Sequence, residues 1–299
     1  MMRFVSHVFP IYQKETMTSS RTTRLTVIVM IFNLILALLG LLQLQLIVRD
    51  SGYYGDTPYA SLLQMYTLVA AFEAAFILFI VPALTAGSIS GERERQTLDI
   101  LLCTRLRPAD IVVGKLLSCL STAFVLMLSS LPVLTLVYIY GGISVWDLAV
   151  LFGCLTVTTL FIGSISTLFS ALMKRTTMAT VLSYLSVIFV TVGTYLVLVM
   201  VLNIYNVLTP NGVVVTGETM APWNNLLLIN PAITFYSLFS QQIGGTESIS
   251  MLNWYNGYIF TDRMLTPDWL LLSCAAQLAL SVLFIWLAAY AINPLHRKS

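Results

Sequence analysis

The stretch Gly87–Lys115 reads GSISGERERQTLDILLCTRLRPADIVVGK. Glu92, Arg93, Glu94, Arg95, Asp99, Arg105, Arg107, Asp110 and Lys115 crowd into it. Elsewhere charge is scarce. Only 9% of the 299 residues are charged and 58% are hydrophobic, whereas soluble domains carry about 25% charged residues. The chain is therefore an integral membrane protein, and its most polar internal segment lies between two long apolar runs. A polar connector this ordered predicts a surface that touches a soluble partner.

Working outward, six apolar runs reach the ~20 residues a helix needs to cross the hydrocarbon core. They are Leu25–Val48, Leu62–Gly87, Ile111–Tyr140, Asp147–Leu172, Met178–Leu202 and Trp269–Ile292. Gly141-Gly142, Lys174-Arg175 and Pro294 punctuate them. The fold class is an all-α membrane protein of six spans. The first run is too long for a signal h-region, and no small-residue cleavage pattern follows it. Lys and Arg set the orientation. Arg3, Lys14, Arg21, Arg24, Arg93, Arg95, Arg105, Arg107, Lys115, Lys174, Arg175, Arg297 and Lys298 fall on one side, against Arg49 and Arg263 on the other. Both termini and the charged connector are thus expected in the cytoplasm.

Residues 1–24 are too polar to span. Phe4, Phe9 and Tyr12 interleave with Lys14 and Arg21, which predicts an amphipathic helix in the membrane interface rather than a frayed tail. Residues 25–299 make the transmembrane domain. Its connector between spans five and six, residues 203–268, holds an apolar run at Leu226–Phe239 broken by Asn230-Pro231. That run is too short to span. It predicts a re-entrant segment of two short helices on the outer side, with a small extracellular cap as the alternative.

Within the connector, an elbow is expected over residues 88–110. Ser90 can cap a helix starting near Gly91, with Glu92 and Glu94 at its positive end. Leu98, Leu101 and Leu102 form an apolar stripe, and Glu92, Arg95, Gln96 and Asp99 a polar one. Pro108 and Asp110 suit the start of the next helix. The plainer reading is a solvated linker whose charges anchor helix ends.

The stretch Pro82–Lys115 resembles the permease subunits of type-2 ATP-binding-cassette (ABC) exporters. Glu92, Thr97, Leu98, Leu101, Leu102, Pro108, Gly114 and Lys115 match that pattern. Gln96 stands where the pattern has glycine. The six-span layout, the N-terminal segment with Lys14-Glu15 and the long last outer loop are also similar. The resemblance implies that two such permeases pair, as a homodimer or with a related partner. It implies that each docks a cytoplasmic ABC ATPase through Glu92, Arg93, Glu94, Arg95, Gln96, Thr97, Leu98, Asp99, Leu101 and Leu102. ATP closure would move the elbow, and spans two and five would tilt. ATP and Mg would belong to the partner. This chain has no Walker A pattern, so no ATP site of its own is expected; nor is a cofactor, catalytic residue or metal expected in it, and its 299 residues are not expected to include a fused ATPase. The expected setting is a plasma membrane, in a prokaryote.

Glu73 sits mid-span, where an acid is costly and by default functional. It is a candidate for the substrate path, or a buried structural carboxyl with Asn33, Gln43 or Gln45 as partner. Pro82 is expected to bend span two. Gly153, Gly163, Ser164, Ser166, Thr167, Ser170 and Ala171 in span four favour close packing over a pore lining. Tyr140, Trp146, Trp223, Trp254 and Trp269 suggest an aromatic belt.

Other classes fare worse. The only histidines, His7 and His296, lie near the ends, against a His-dependent intramembrane protease. Glu92 and Glu94 are not adjacent, unlike the paired acids of a metal-dependent one. Cys103, Cys119, Cys154 and Cys274 show no CxxC spacing, and no basic run suggests nucleic acid. The competing function is a non-transporting sensor or regulatory subunit of an ABC complex. Scarce charge in the spans favours a lipid, drug or hydrophobic peptide as cargo over a sugar polymer.

Overall fold

A computed structural model describes residues 23–54, 59–97, 107–139, 143–208, 223–243 and 267–293. Among these residues all regular structure is helical. Span one is α1 (Thr23–Tyr54), span two α2 (Tyr59–Thr85), and the elbow helix α3 (Ser90–Glu94). Span three is α4 (Pro108–Ile139) and span four α5 (Val145–Leu172). Span five is α6 (Thr176–Ile188), a π-helical turn (Phe189–Gly193) and α7 (Thr194–Leu208). A 3-10 turn (Asn225–Ile229) leads into α8 (Pro231–Ile243), and span six is α9 (Pro267–Ile292). Six helices are long and apolar enough to cross a membrane. The predicted interfacial helix at 1–24 lies almost wholly outside the described residues, as do Cys103, Tyr140, Trp254 and the Gly141-Gly142 turn.

The chain divides into two compact units, Met1–Tyr184 with Leu278–Ser299, and Leu185–Gln277. In the first, spans two, three and four form the core. Tyr66, Val69, Ile111, Leu126, Leu134, Leu155, Phe161 and Ile162 are almost fully buried. Span one packs on span two through Phe32 and Phe76, whose ring centroids lie 4.6 Å apart. Its other face exposes Met30, Leu34 and Leu41, the surface a bilayer or a partner helix would cover.

The small residues of span four do what close packing requires. Gly163, Ser164, Ser166, Thr167, Ser170 and Ala171 are buried. A Cβ on Gly163 would come within 3.2 Å of Leu116 on span three. Gly153 is the exception, exposed with open space around it. Thr159 and Ser164 hand their hydroxyl protons to carbonyls of their own helix, so they pack without leaving an unmet donor. At the elbow end, Ile89, Val112, Ala171, Ala288 and Ile292 cluster. The end of span six thus lies beside the end of span two.

Helix starts follow their sequence signals. Ser144 caps α5 in a reciprocal box, with the Asp147 N–H donating to its hydroxyl and its own N–H donating to Asp147. Pro108 opens α4, and Asp110 accepts from the Arg107 N–H.

In the second unit, the predicted break at Asn230-Pro231 is present. The 3-10 turn and α8 meet there, with Pro231 at the first helical position, where its missing N–H costs nothing. Leu227, Ile233, Leu198 and Trp269 form this unit's core. Trp269 is only 4% exposed, so it is a core residue and not part of an aromatic belt; Trp146 and Trp223 are exposed. Thr234, Ser273 and Gln277 join in a buried network. The Thr234 and Ser273 hydroxyls lie 2.6 Å apart, the Gln277 amide donates to Thr234, and Ser273 donates to the Leu228 carbonyl. Nothing in the periodicity of span five announces its π turn, because its apolar residues satisfy either helix.

Candidate functional site

The elbow is built by termination as much as by propagation. α3 is one and a half turns long and closes with paired bonds, Gln96 N–H to the Arg93 carbonyl and Thr97 N–H to the Glu92 carbonyl. This pattern needs a left-handed residue at the position Gln96 occupies, and Gln96 has φ 59°. A side chain there is strained, which is the physical reason a glycine suits the site. The expected continuous amphipathic helix from Gly91 to Leu102 is therefore interrupted. Gln96 has left the helix and does not share a helical face with Glu92 and Arg95. Leu98, Asp99, Leu101 and Leu102 lie outside the described residues.

The expected Ser90 cap is also corrected. The Ser90 hydroxyl donates backward to the Ala86 carbonyl and caps nothing. Its place is taken by Ser170 of span four, whose Oγ accepts from the Ile89 and Ser90 N–H groups, both at 3.0 Å. These are two of the orphan donors that any helix start leaves over. Ile89, Ser90 and Ser170 are all fully buried, so water is not the alternative acceptor.

The charged side chains then divide. Glu92 turns inward and pairs with Lys115 of span three at 2.8 Å. Lys115 is 3% exposed and also donates to the Ser88 carbonyl. Arg93 donates to the Met173 carbonyl at 3.0 Å, past the end of span four. Glu94 accepts from the Thr176 hydroxyl at 2.8 Å and from its N–H at 3.4 Å. A carboxylate at the start of α6 meets the positive end of that helix. Arg95, Gln96 and Thr97 are exposed.

The elbow is thus fastened to the start of span three, the end of span four and the start of span five, with its far corner in solvent. Sequence reasoning named the elbow's charges but not these partners. Lys115 entered as a basic residue of the connector and a motif match, Ser170 only as one small residue among several, and Thr176 not at all. A serine that packs and a serine that caps another segment look alike in one dimension.

Glu73 is fully buried. Its partner is Ser130 of span three, whose hydroxyl lies 2.9 Å from Oε1. The expected partners are corrected: Asn33 donates to the Val29 carbonyl of its own helix, and no bond from Gln43 or Gln45 to Glu73 is present among the described residues. Span three approaches Glu73 because spans two, three and four make the tight core, while span one lies outside it. Oε2 has no partner among the described residues.

Six helices long and apolar enough to cross a membrane make this a multi-pass helical membrane protein. The sequence model described as "ABC-2 family transporter protein" matches residues 42–290, and the chain belongs to that family. It is the membrane component of an ABC transporter, a family whose permeases act with an ABC ATPase and are not as a rule catalytic themselves. No curated protein matches the chain.

Proposed function

We propose that this chain is one half of an ABC exporter in the plasma membrane, and that Ser90–Thr97 is the element through which a separate cytoplasmic ATPase drives it. The observation that carries this reading is the elbow's fastening to three spans while Arg95, Gln96 and Thr97 stay exposed. A push at the exposed corner reaches span three through Glu92 and Lys115. It reaches span four through Ser170 and Arg93, and span five through Glu94 and Thr176. A solvated linker needs none of these bonds.

Six cytoplasm-to-outside crossings suit the packing of Ala288 and Ile292 beside Ile89. Segment 225–243 would then enter from the outside and return. Two copies would complete the path, and the apolar spans favour a hydrophobic cargo. The test is affinity purification with and without Arg95→Glu. The wild-type chain should bring down a P-loop ATPase and hydrolyse no ATP alone, and Arg95→Glu should insert normally yet lose the ATPase. Equal recovery of the ATPase with both chains would reject Arg95 as a contact.

A further inference from the structure

Span five leaves α geometry at Phe189–Gly193, where the Thr194 N–H reaches back to the Phe189 carbonyl, five residues away. Such turns inside α-helices tend to mark functional sites. Gly193 makes room for this one, because a Cβ there would meet the Phe189 ring at 3.0 Å. No residue of the turn is buried, so core packing does not impose it.

One side chain from another segment does reach it. Asn230 is fully buried and uses its whole amide. Its Oδ1 accepts from the Ala232 N–H at 2.9 Å and caps α8. Its Nδ2 donates to the Thr191 carbonyl at 2.7 Å and to the Thr194 hydroxyl at 2.8 Å. In an uninterrupted α-helix the Thr191 carbonyl would accept from the N–H four residues on. The same segment is tied to span six through Ser273 and the Leu228 carbonyl.

We propose that Asn230 is a latch that holds span five in its π register, and that undocking it lets Phe189–Gly193 return to α-helix. That change removes one residue's offset. It turns α7 by about 100° relative to the residues before Phe189. Motion of segment 225–243 thereby becomes rotation of half a span, a gating device that needs no charge and no metal.

The amide's division of labour supplies the test. Asn230→Ser keeps an oxygen to cap α8 and removes both donors to span five; Asn230→Ala removes both functions; Thr194→Val removes one acceptor. Nitroxides would be placed singly at Leu185, Val197 and Leu198 on a cysteine-free full chain in lipid nanodiscs, and their collision with oxygen measured.

In the wild type, Leu185 and Val197 should be accessible and Leu198 shielded, matching their exposure. In Asn230→Ser each residue of α7 takes the angular place of its successor, so Val197 should fall toward the wild-type Leu198 value and Leu198 should rise, while Leu185 stays put. Amide exchange over 190–196 should quicken about tenfold or more, with the start of α8 unchanged in Asn230→Ser and quickened in Asn230→Ala. Thr194→Val should shift both readouts in the same direction, by less. An accessibility pattern that keeps its phase in Asn230→Ser, or exchange that quickens evenly along every span, would overturn the latch and leave Asn230 an ordinary buried packing residue.

Discussion

Ser170→Ala should free the elbow without disturbing the spans. The wild-type Oγ satisfies two buried N–H groups, those of Ile89 and Ser90. Leaving a buried donor unmet costs about 1–3 kcal/mol. The two amides are adjacent and share one acceptor, so their losses do not simply add, and about 2–3 kcal/mol for the pair is the working figure. That corresponds to ~30- to ~140-fold faster local opening at 1.4 kcal/mol per tenfold. Amide exchange of the full chain in nanodiscs reads it directly. Ile89 and Ser90 should exchange faster by that factor, while amides in the middle of spans two and four stay at wild-type rates. Ser164→Ala is the control, since that hydroxyl bonds the Phe161 carbonyl of its own helix and should leave Ile89 and Ser90 unchanged. If Ser170→Ala left both amides at wild-type rates, the elbow would not be capped by span four, and the link from exposed corner to span four would fall with it.

Three further outcomes follow from the same geometry. Glu92→Gln should cost about 3–5 kcal/mol, because it strands the nearly buried Lys115 cation; Glu92→Gln with Lys115→Met should recover most of the thermal stability, and strictly additive losses would deny the pair. Gln96→Gly should stabilise the elbow by about 1 kcal/mol through relief of the left-handed backbone, seen as slower exchange of the Thr97 amide; a faster rate would mean the Gln96 side chain contributes more than its strain costs. Ser130→Ala should destabilise by about 1–3 kcal/mol by leaving the Glu73 carboxyl with no hydroxyl, and adding Glu73→Leu should reverse that loss; thermal unfolding of the four chains in one detergent decides it.

The sequence by itself determined the number of spans, their approximate limits and the place of the elbow. Each depends on a local property: ~20 consecutive apolar residues, a cluster of charge, a proline at a helix start. The break at Asn230-Pro231 was legible for the same reason. Partnership was not legible. Glu92 with Lys115, Ser170 with the Ile89 and Ser90 amides, Glu94 with Thr176 and Glu73 with Ser130 are each joined across separate helices. A carboxylate in one dimension specifies that it needs a partner, not which one. Ser90 failed as a cap because it already lies inside the helix and its hydroxyl bonds back to the Ala86 carbonyl, and Trp269 left the aromatic belt because Leu198, Leu227 and Ile233 surround it. The π turn was the least legible feature, since an apolar sequence such as FVTVG accepts either register and only a side chain from a distant segment distinguishes them.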